Sequence, residues 1–210
     1  MFGKEDLLPL WVADMDFEVP RCVQESLHRY VEQGTFGYPV MSDDAYTESF
    51  IQWEKRYHSY EVKKEWIRFS PGVVPAIYWL VRILTEPSDA VIIMPPVYYP
   101  FRNAILDNSR RVVESPLVLR DGQYEMDFED FEEKICKEKV KLFVFCSPHN
   151  PVGRVWKAEE IRRILDICKK HQIYVLADEI HQDIIIGDHR QTTAATTGEY
   201  DEILVTLTAA

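Results

Sequence analysis

The chain has 210 residues, a length that can bury one sizeable hydrophobic core and some additional elements. Its formal net charge of −11 argues against nucleic-acid binding, because neutralising phosphates requires clustered Lys and Arg. The longest apolar runs are too short to cross a bilayer, and the N-terminus has no signal-peptide pattern. We therefore expect no membrane association and a cytoplasmic location.

The four cysteines do not form a pattern typical of metal binding. They are Cys22, Cys136, Cys146 and Cys168, with no C-x-x-C pair and no His cluster at zinc-ligand spacing. We predict buried free thiols and no metal site.

The first part of the chain predicts three helices, over residues 20–33, 43–57 and 72–84. The first has Pro20 at its start and Gly34 at its end, and Ser42 is a suitable N-cap for the second. Gly72 opens the third helix, where Pro75 is tolerated only because it falls in the first turn.

From residue 90 onward, short apolar strands alternate with helices. Strands are predicted over residues 90–94, 111–114, 140–146, 173–177 and 203–207, and helices over 98–107, 128–138 and 157–170. Asp127 caps the helix at 128, with Asp130 three residues on as in a capping box. This pattern predicts an α/β fold, a mostly parallel sheet sandwiched by helices. In such sheets ligands bind beyond the carboxyl ends of the strands.

Two polar side chains follow predicted strands at that edge. Asn150 lies between two prolines and before Gly153, and its amide offers both donors and an acceptor. An ordinary turn would also explain this composition. Asp178 ends an apolar strand, where a carboxylate is costly unless it meets a cation or several donors. The alternative is that Asp178 caps the next segment.

Two further features lie near the same edge. Tyr98 and Tyr99 follow a Pro-Pro pair, and an aromatic ring there could stack on a planar ligand, although core packing is the commoner role. The first N–H groups of the helix that Gly72 opens lack partners and suit a phosphate. Together, a phosphate site, a stacking ring, an amide and a carboxylate describe pyridoxal 5′-phosphate (PLP), whose ring acts as an electron sink when its nitrogen is protonated.

The same residues carry a family resemblance over essentially the whole chain. The motifs are Pro-Gly-Val at 71–73, Pro-Val-Tyr at 96–98, Ser-Pro-His-Asn-Pro-Val-Gly at 147–153 and Ala-Asp-Glu-Ile-His at 177–181. They resemble fold-type I PLP enzymes of the class I/II aminotransferase family. The run Trp-Val-Ala-Asp-Met-Asp-Phe at 11–17 and the His at 181 are similar to its cystathionine β-lyase (C–S lyase) branch, often called MalY/PatB.

The resemblance implies a role for each matching residue. Gly72, Val73 and Val74 would bind the phosphate, the last two through backbone N–H groups. Tyr98 would stack on the ring, with Tyr99 beside it near the substrate. Asn150 would bind the ring oxygen with His181 nearby, and Asp178 would pair with the ring nitrogen. Tyr38 would reach the phosphate of a neighbouring subunit in a homodimer. Trp11, Ala13 and Asp14 would lie at the substrate entrance, although Trp11 could equally serve packing.

The resemblance also predicts a domain organisation. Residues 1–40 would form an N-terminal segment with the substrate entrance and dimer arm, and residues 41–210 part of the PLP-binding large domain. The lysine that binds the cofactor covalently would follow the strand at 203–207, just beyond Ala210, and the small domain would come later still. We therefore expect the chain alone to be catalytically inactive.

The family function implied is a PLP-dependent carbon–sulfur β-lyase, which converts a sulfur-containing amino acid into a thiol, pyruvate and ammonia. A class I/II aminotransferase is the alternative enzyme, because it would use the same cofactor residues. A non-catalytic fragment or a regulatory or interaction protein is the alternative outside enzymes.

Overall fold

The computed structural model describes Leu8, residues 17–38 and residues 44–209. The chain forms two compact units, residues 1–41 and 42–210, and each is described by itself. In the first unit helix α1 spans Arg21–Glu32 and none of its residues is buried. The N–H of Gly34 donates to the carbonyl of Val31 just after this helix, at a positive φ that suits glycine.

The second unit contains the remaining helices and strands. The helices are α2 (Asp44–His58), α3 (Val73–Leu84), α4 (Tyr99–Asp107), α5 (Phe128–Glu138) and α6 (Ala158–Lys170). The strands are β1 (Ala90–Ile93), β2 (Arg111–Glu114), β3 (Val118–Arg120), β4 (Gln123–Glu125), β5 (Val140–Cys146), β6 (Tyr174–Asp178) and β7 (Leu204–Leu207). Every predicted helix and strand is present with nearly the predicted bounds. The cap predicted at Ser42 lies outside the described residues.

Five strands form one parallel sheet in the order β2-β1-β5-β6-β7. The predicted α/β fold is therefore confirmed. Helices α4, α5 and α6 make the crossovers to β2, β5 and β6, and a longer loop leads to β7. Because all the pairs are parallel, the five carboxyl ends meet at one edge. The short hairpin β3–β4 forms a separate antiparallel pair that the sequence analysis missed.

Side chains alternate between two cores along each strand, as the strand period of two requires. On β5, Phe143 and Phe145 face a core built with α5 and α6. Leu142 and Val144 face a second core built with α3 and α4. The sheet is thus covered on both faces, which explains why its strands read as continuous apolar runs.

The cap predicted at α5 forms only in part. The side chain of Asp127 accepts a hydrogen bond from the N–H of Asp130 at 3.0 Å, as predicted. The reciprocal bond of a capping box is replaced, because the Asp130 carboxylate instead accepts from Ser115 at 2.7 Å and Lys134 at 2.8 Å.

The prediction that all four cysteines are buried is wrong for two of them. Cys146 and Cys168 are buried, whereas Cys22 and Cys136 are exposed. Both exposed cysteines lie on the polar sides of amphipathic helices, a position that the pattern around them could have indicated. Within the described ranges, no helix combines the length and the apolar character needed to cross a membrane.

Candidate functional site

The carboxyl edge of the sheet brings three loops together. Cys146, the last residue of β5, is the register partner of Asp178, which in turn pairs with Leu207 at the end of β7. The pairing continues past the strands, since the N–H of Ser147 donates to the carbonyl of Asp178 at 3.0 Å. The loops after β5, β6 and β7 therefore begin side by side.

Asp178 is a buried carboxylate at this edge, with 4% of its surface exposed. Its Oδ1 accepts one hydrogen bond, from the N–H of Ile180 at 3.2 Å. Among the described residues no Lys, Arg or His forms an ion pair with it. Burial raises the pKa of this carboxyl from 3.8 to about 6, so ionisation here is costly. The bond from Ile180 matches the alternative in which Asp178 caps the next segment. One weak donor nevertheless leaves most of the free-energy cost of ionising this carboxyl uncompensated.

Asn150 lies in the loop that follows β5. Its backbone N–H donates to the sulfur of Cys146 at 3.4 Å, which folds the loop back over the strand end. The residue is half-buried, and within the described ranges its side-chain amide has no hydrogen-bond partner. A half-buried amide with free donors and an acceptor can bind a ligand oxygen.

His149 joins this loop to the one after β1, a role that the sequence analysis missed. Its Nε2 lies 3.0 Å from the carbonyl oxygen of Pro96, and the side chain is buried. Burial lowers the pKa of the imidazole to about 4, so the ring is neutral at neutral pH and its Nε2–H donates to that carbonyl. The loop that carries Tyr98 is thereby held beside the loop that carries Asn150.

Tyr98 is half-buried at the start of α4 and packs edge-on against Phe101, with ring centroids 5.9 Å apart. Its neighbour Tyr99 is exposed, and the two rings are 5.5 Å apart. Tyr98 therefore has one edge in the core and the rest of its ring available at the loop. This arrangement allows both the packing role and the stacking role.

The first turn of α3 presents two unpaired donors. Gly72 precedes the helix at φ 158° and ψ 160°, and no side chain caps the first turn. Pro75 has no N–H, and the N–H of Ala76 already donates to the carbonyl of Gly72 at 3.2 Å. The donors that have no partner among the residues described are therefore the N–H groups of Val73 and Val74. Because α3 leads into β1 through a short turn, its first turn lies toward the carboxyl edge of the sheet.

The remaining predicted site residues are placed less completely. His181 is half-buried in the turn after β6, three residues beyond Asp178. Tyr38 belongs to the first unit, where its side chain is fully exposed. Trp11, Ala13 and Asp14 lie outside the described residues, so their roles remain predictions.

A buried polar network lies beneath the loop after β6. The Gln182 amide nitrogen donates to Glu54 of α2 at 2.8 Å and to Thr208, just past β7, at 2.7 Å. Glu179 is fully buried, and its Oε1 accepts from the N–H of Ala194 at 2.8 Å while its Oε2 has no partner in the described part of the chain. Sequence reasoning found none of these three contacts, which join residues that are 15, 26 and 128 positions apart.

Trp156 supports the loop after β5 from within the core. Its indole N–H donates to the carbonyl of Cys146 at 3.0 Å, and the side chain is fully buried. We expect Trp156→Phe to lower the free energy of unfolding by about 2 kcal/mol, because a buried acceptor loses its donor and the smaller ring packs less well. Urea denaturation measures this loss. Trp79→Phe, at a side chain that is 50% exposed, is the control, and equal losses in both variants would remove Trp156 as an anchor of this loop.

Comparison with known proteins identifies the family. The model of the family described as aminotransferase class I and II matches residues 5–210. The chain belongs to this family. Among curated members, cystathionine β-lyase PatB from Bacillus subtilis is 40% identical over 100% of the chain and 54% of its own length. The chain spans about half the length of the curated relatives it matches.

Solved structures of similar proteins have the same fold. A PLP-bound putative aminotransferase from Clostridium difficile is 44% identical with a TM-score of 0.92, covering 99% of this chain and 54% of that one. A PLP-bound C–S lyase from Staphylococcus hominis is 34% identical with a TM-score of 0.90, covering 94% and 51%. Within the described ranges, no group of three or more His, Cys, Asp or Glu residues is arranged to hold a metal ion.

Proposed function

We propose that the carboxyl edge of this sheet binds PLP. The observation that carries the proposal is the buried carboxylate of Asp178, which has one weak backbone donor and no paired cation among the described residues. A protonated pyridine nitrogen would supply that cation and offset the cost of ionising a buried acid. The PLP-bound relatives among the solved structures support this assignment.

The other groups of the site fit the remaining parts of the cofactor. The free N–H groups of Val73 and Val74 would bind the phosphate, with Gly72 allowing the chain to enter the helix. The amide of Asn150 would bind the ring oxygen near His181, and the ring of Tyr98 would stack on the pyridine, with Tyr99 beside the substrate. Trp11, Ala13 and Asp14 would line the substrate entrance.

When bound, PLP supplies an electron sink for the bonds at the α-carbon of an amino acid. Asp178 holds a proton at the ring nitrogen, which keeps that sink effective. Asn150 fixes the orientation of the ring through its oxygen, and the first turn of α3 anchors the phosphate end. These residues therefore bind and orient, and none of them is assigned the transfer of the substrate proton.

The reaction proposed for the whole protein is carbon–sulfur β-elimination from an amino acid, giving a thiol, pyruvate and ammonia. Relatives named as a cystathionine β-lyase and as a C–S lyase support this reaction over amino-group transfer. We also propose that the protein is a cytoplasmic homodimer in which Tyr38 reaches the neighbouring site. The complete exposure of Tyr38 is compatible with such a role.

Titration of the purified chain with PLP, followed by quenching of tryptophan fluorescence, tests the cofactor assignment. We expect Tyr98→Ala to weaken binding by about three- to tenfold, because the stacked ring is lost, and Tyr98→Phe to retain it. Tyr174→Ala is the control, since Tyr174 begins β6 at the opposite edge of the sheet. No binding, or equal weakening by both alanine variants, would overturn the assignment.

The reaction is tested separately in the full-length gene product with PLP and cystathionine. Thiol and pyruvate released in equal amounts, without an added 2-oxo acid, are the expected products. Turnover that depends on a 2-oxo acid acceptor and releases no thiol would replace the lyase by an aminotransferase, while leaving the cofactor assignment in place.

A further inference from the structure

A cluster of three reactive side chains lies on the opposite face of the sheet from α3. Glu132 and Cys136 are one turn apart on α5, and His171 follows the last residue of α6. The Nε2 of His171 lies 2.7 Å from Oε1 of Glu132, and Nδ1 lies 3.8 Å from the sulfur of Cys136. The sulfur lies almost as close to Nε2, at 4.0 Å, but Nε2 already meets the carboxylate, so Nδ1 is the nitrogen left to take the thiol proton.

The arrangement has the three parts of an activated nucleophile. A thiol becomes nucleophilic when it loses its proton, and an adjacent imidazole can take that proton. Glu132 orients the ring and stabilises the imidazolium, as the third group of a catalytic triad does. Lys170, whose ammonium lies 2.8 Å from the same carboxylate oxygen, adds a further positive charge beside the cluster.

The other cysteines of the chain lack this environment. Cys146 and Cys168 are buried, and burial raises the pKa of both thiols, that of Cys146 to about 12. Cys22 is exposed on α1, but among the described residues no ionisable side chain contacts it. Cys136 alone combines exposure with a nearby base in the described part of the chain, and Cys22 provides a matched comparison within the same molecule.

A groove of about 410 Å³ between α5 and α6 adjoins the cluster. Glu132 belongs to both the groove and the cluster, and Lys170, which donates to Glu132, also lines the groove. The other charged side chains of its lining have both signs and include Glu129, Glu159, Arg162 and Arg163. A groove with both signs of charge suits a small ligand that carries carboxylate and ammonium groups together.

We propose that Cys136 is a reactive thiol that forms a mixed disulfide with small zwitterionic disulfides seated in the α5–α6 groove. The thiol proton passes to Nδ1 of His171, and the thiolate attacks one sulfur of the disulfide. A bond from Cys136 to that sulfur forms as the original S–S bond breaks. The other sulfur leaves with the electron pair and takes a proton from the imidazolium or from water. The small disulfide is thus the oxidant, and one small thiol is released for each Cys136 modified.

Glutathione disulfide is the probe that tests this proposal on the purified chain. Incubation at pH 7, followed by peptide mapping with mass detection, gives separate rates for Cys136 and Cys22. We expect Cys136 to react about tenfold faster than Cys22, because a neighbouring imidazole can take the thiol proton as the sulfur attacks. Equal rates at the two cysteines would overturn the proposal.

Two variants separate activation from simple exposure. His171→Gln removes the base, and we expect the Cys136 rate to fall to about that of Cys22 while the Cys22 rate stays unchanged. Cys146 and Cys168 report whether the variant remains folded, because both thiols are buried and would react only after unfolding. Glu132→Gln leaves the imidazole without its carboxylate and should lower the Cys136 rate by a smaller factor. A Cys136 rate unchanged in His171→Gln would show that the imidazole does not activate the thiol.

Discussion

Asp178→Asn should weaken PLP binding by about 100-fold and at the same time stabilise the cofactor-free protein. The affinity falls because a charge-assisted hydrogen bond to a protonated ring nitrogen is replaced by a neutral contact, a loss of about 3 kcal/mol. The stability rises because the buried carboxylate, whose pKa is raised to about 6 by burial, is destabilising when ionised. The substitution therefore lowers the affinity for PLP and raises the free energy of unfolding, a combination that is typical of residues whose role is binding.

The direction of the pH dependence follows from the raised pKa of Asp178. The folded state binds this proton more tightly than the unfolded state, whose pKa is near 3.8. The stability that the proton provides is therefore complete below about pH 4 and is lost as the pH rises through 6. Above pH 6 the loss amounts to about 3 kcal/mol, at about 1.4 kcal/mol for each pKa unit. Asp178→Asn should remove this part of the pH dependence.

Urea denaturation at pH 4 and pH 8, together with PLP titration at pH 8, measures both effects. Asp188→Asn, at an exposed position after β6, is the control and should change neither quantity. An Asp178→Asn variant that binds PLP as tightly as the parent would show that this carboxylate does not meet the ring nitrogen.

Glu179→Gln should raise the free energy of unfolding by about 3 kcal/mol at pH 9 and lower it by about 1–2 kcal/mol at pH 4. Glu179 is fully buried, and burial, together with the nearby carboxylates of Glu54 and Asp178, raises its pKa to about 8. Ionising it in the folded protein costs about 5 kcal/mol, at about 1.4 kcal/mol for each pKa unit. The amide of the variant still accepts the hydrogen bond from the N–H of Ala194. Its buried, unpaired N–H group, however, lowers the free energy of unfolding by about 1–2 kcal/mol.

The parent protein should therefore lose stability from this group as the pH rises from about 4.5 to 8. Thermal unfolding of the parent and the variant at pH 5, 7 and 9 measures the difference. Glu199→Gln, at an exposed position before β7, is the matched control. Parallel pH profiles for the parent and Glu179→Gln would mean that Glu179 is not buried as a neutral acid.

The strand-and-helix order was predictable because each element carries a local signal. Five apolar runs at βα spacing give a parallel sheet, and the parallel sheet alone indicates that Asn150 and Asp178 lie at the same carboxyl edge. The β3–β4 hairpin also had a local signal that the sequence analysis did not use. Asp121-Gly122 adopts positive φ at both positions, as a two-residue hairpin turn requires.

The contacts that the sequence could not indicate join residues far apart in the chain. His149 meets the carbonyl of Pro96 across 53 residues, and Cys136 meets His171 across 35. No periodicity links such pairs, because their proximity depends on which strands and helices become neighbours. For the same reason, no local pattern indicates that Glu54, on an otherwise mostly exposed helix, is buried.

The neutral imidazole of His149 joins two loops at the carboxyl edge by a hydrogen bond that mild acid does not break. Its ring gains a proton in the folded state only near pH 4, whereas Asp178 loses its charge near pH 6. Between pH 4 and pH 6 the hydrogen bond between the loops after β1 and β5 therefore persists, while the carboxylate of Asp178 at the proposed cofactor site becomes protonated. Acidification of the cofactor-free protein into this interval would therefore neutralise the carboxylate at 178 without releasing the loop that carries Asn150, and a bound pyridinium would oppose that neutralisation.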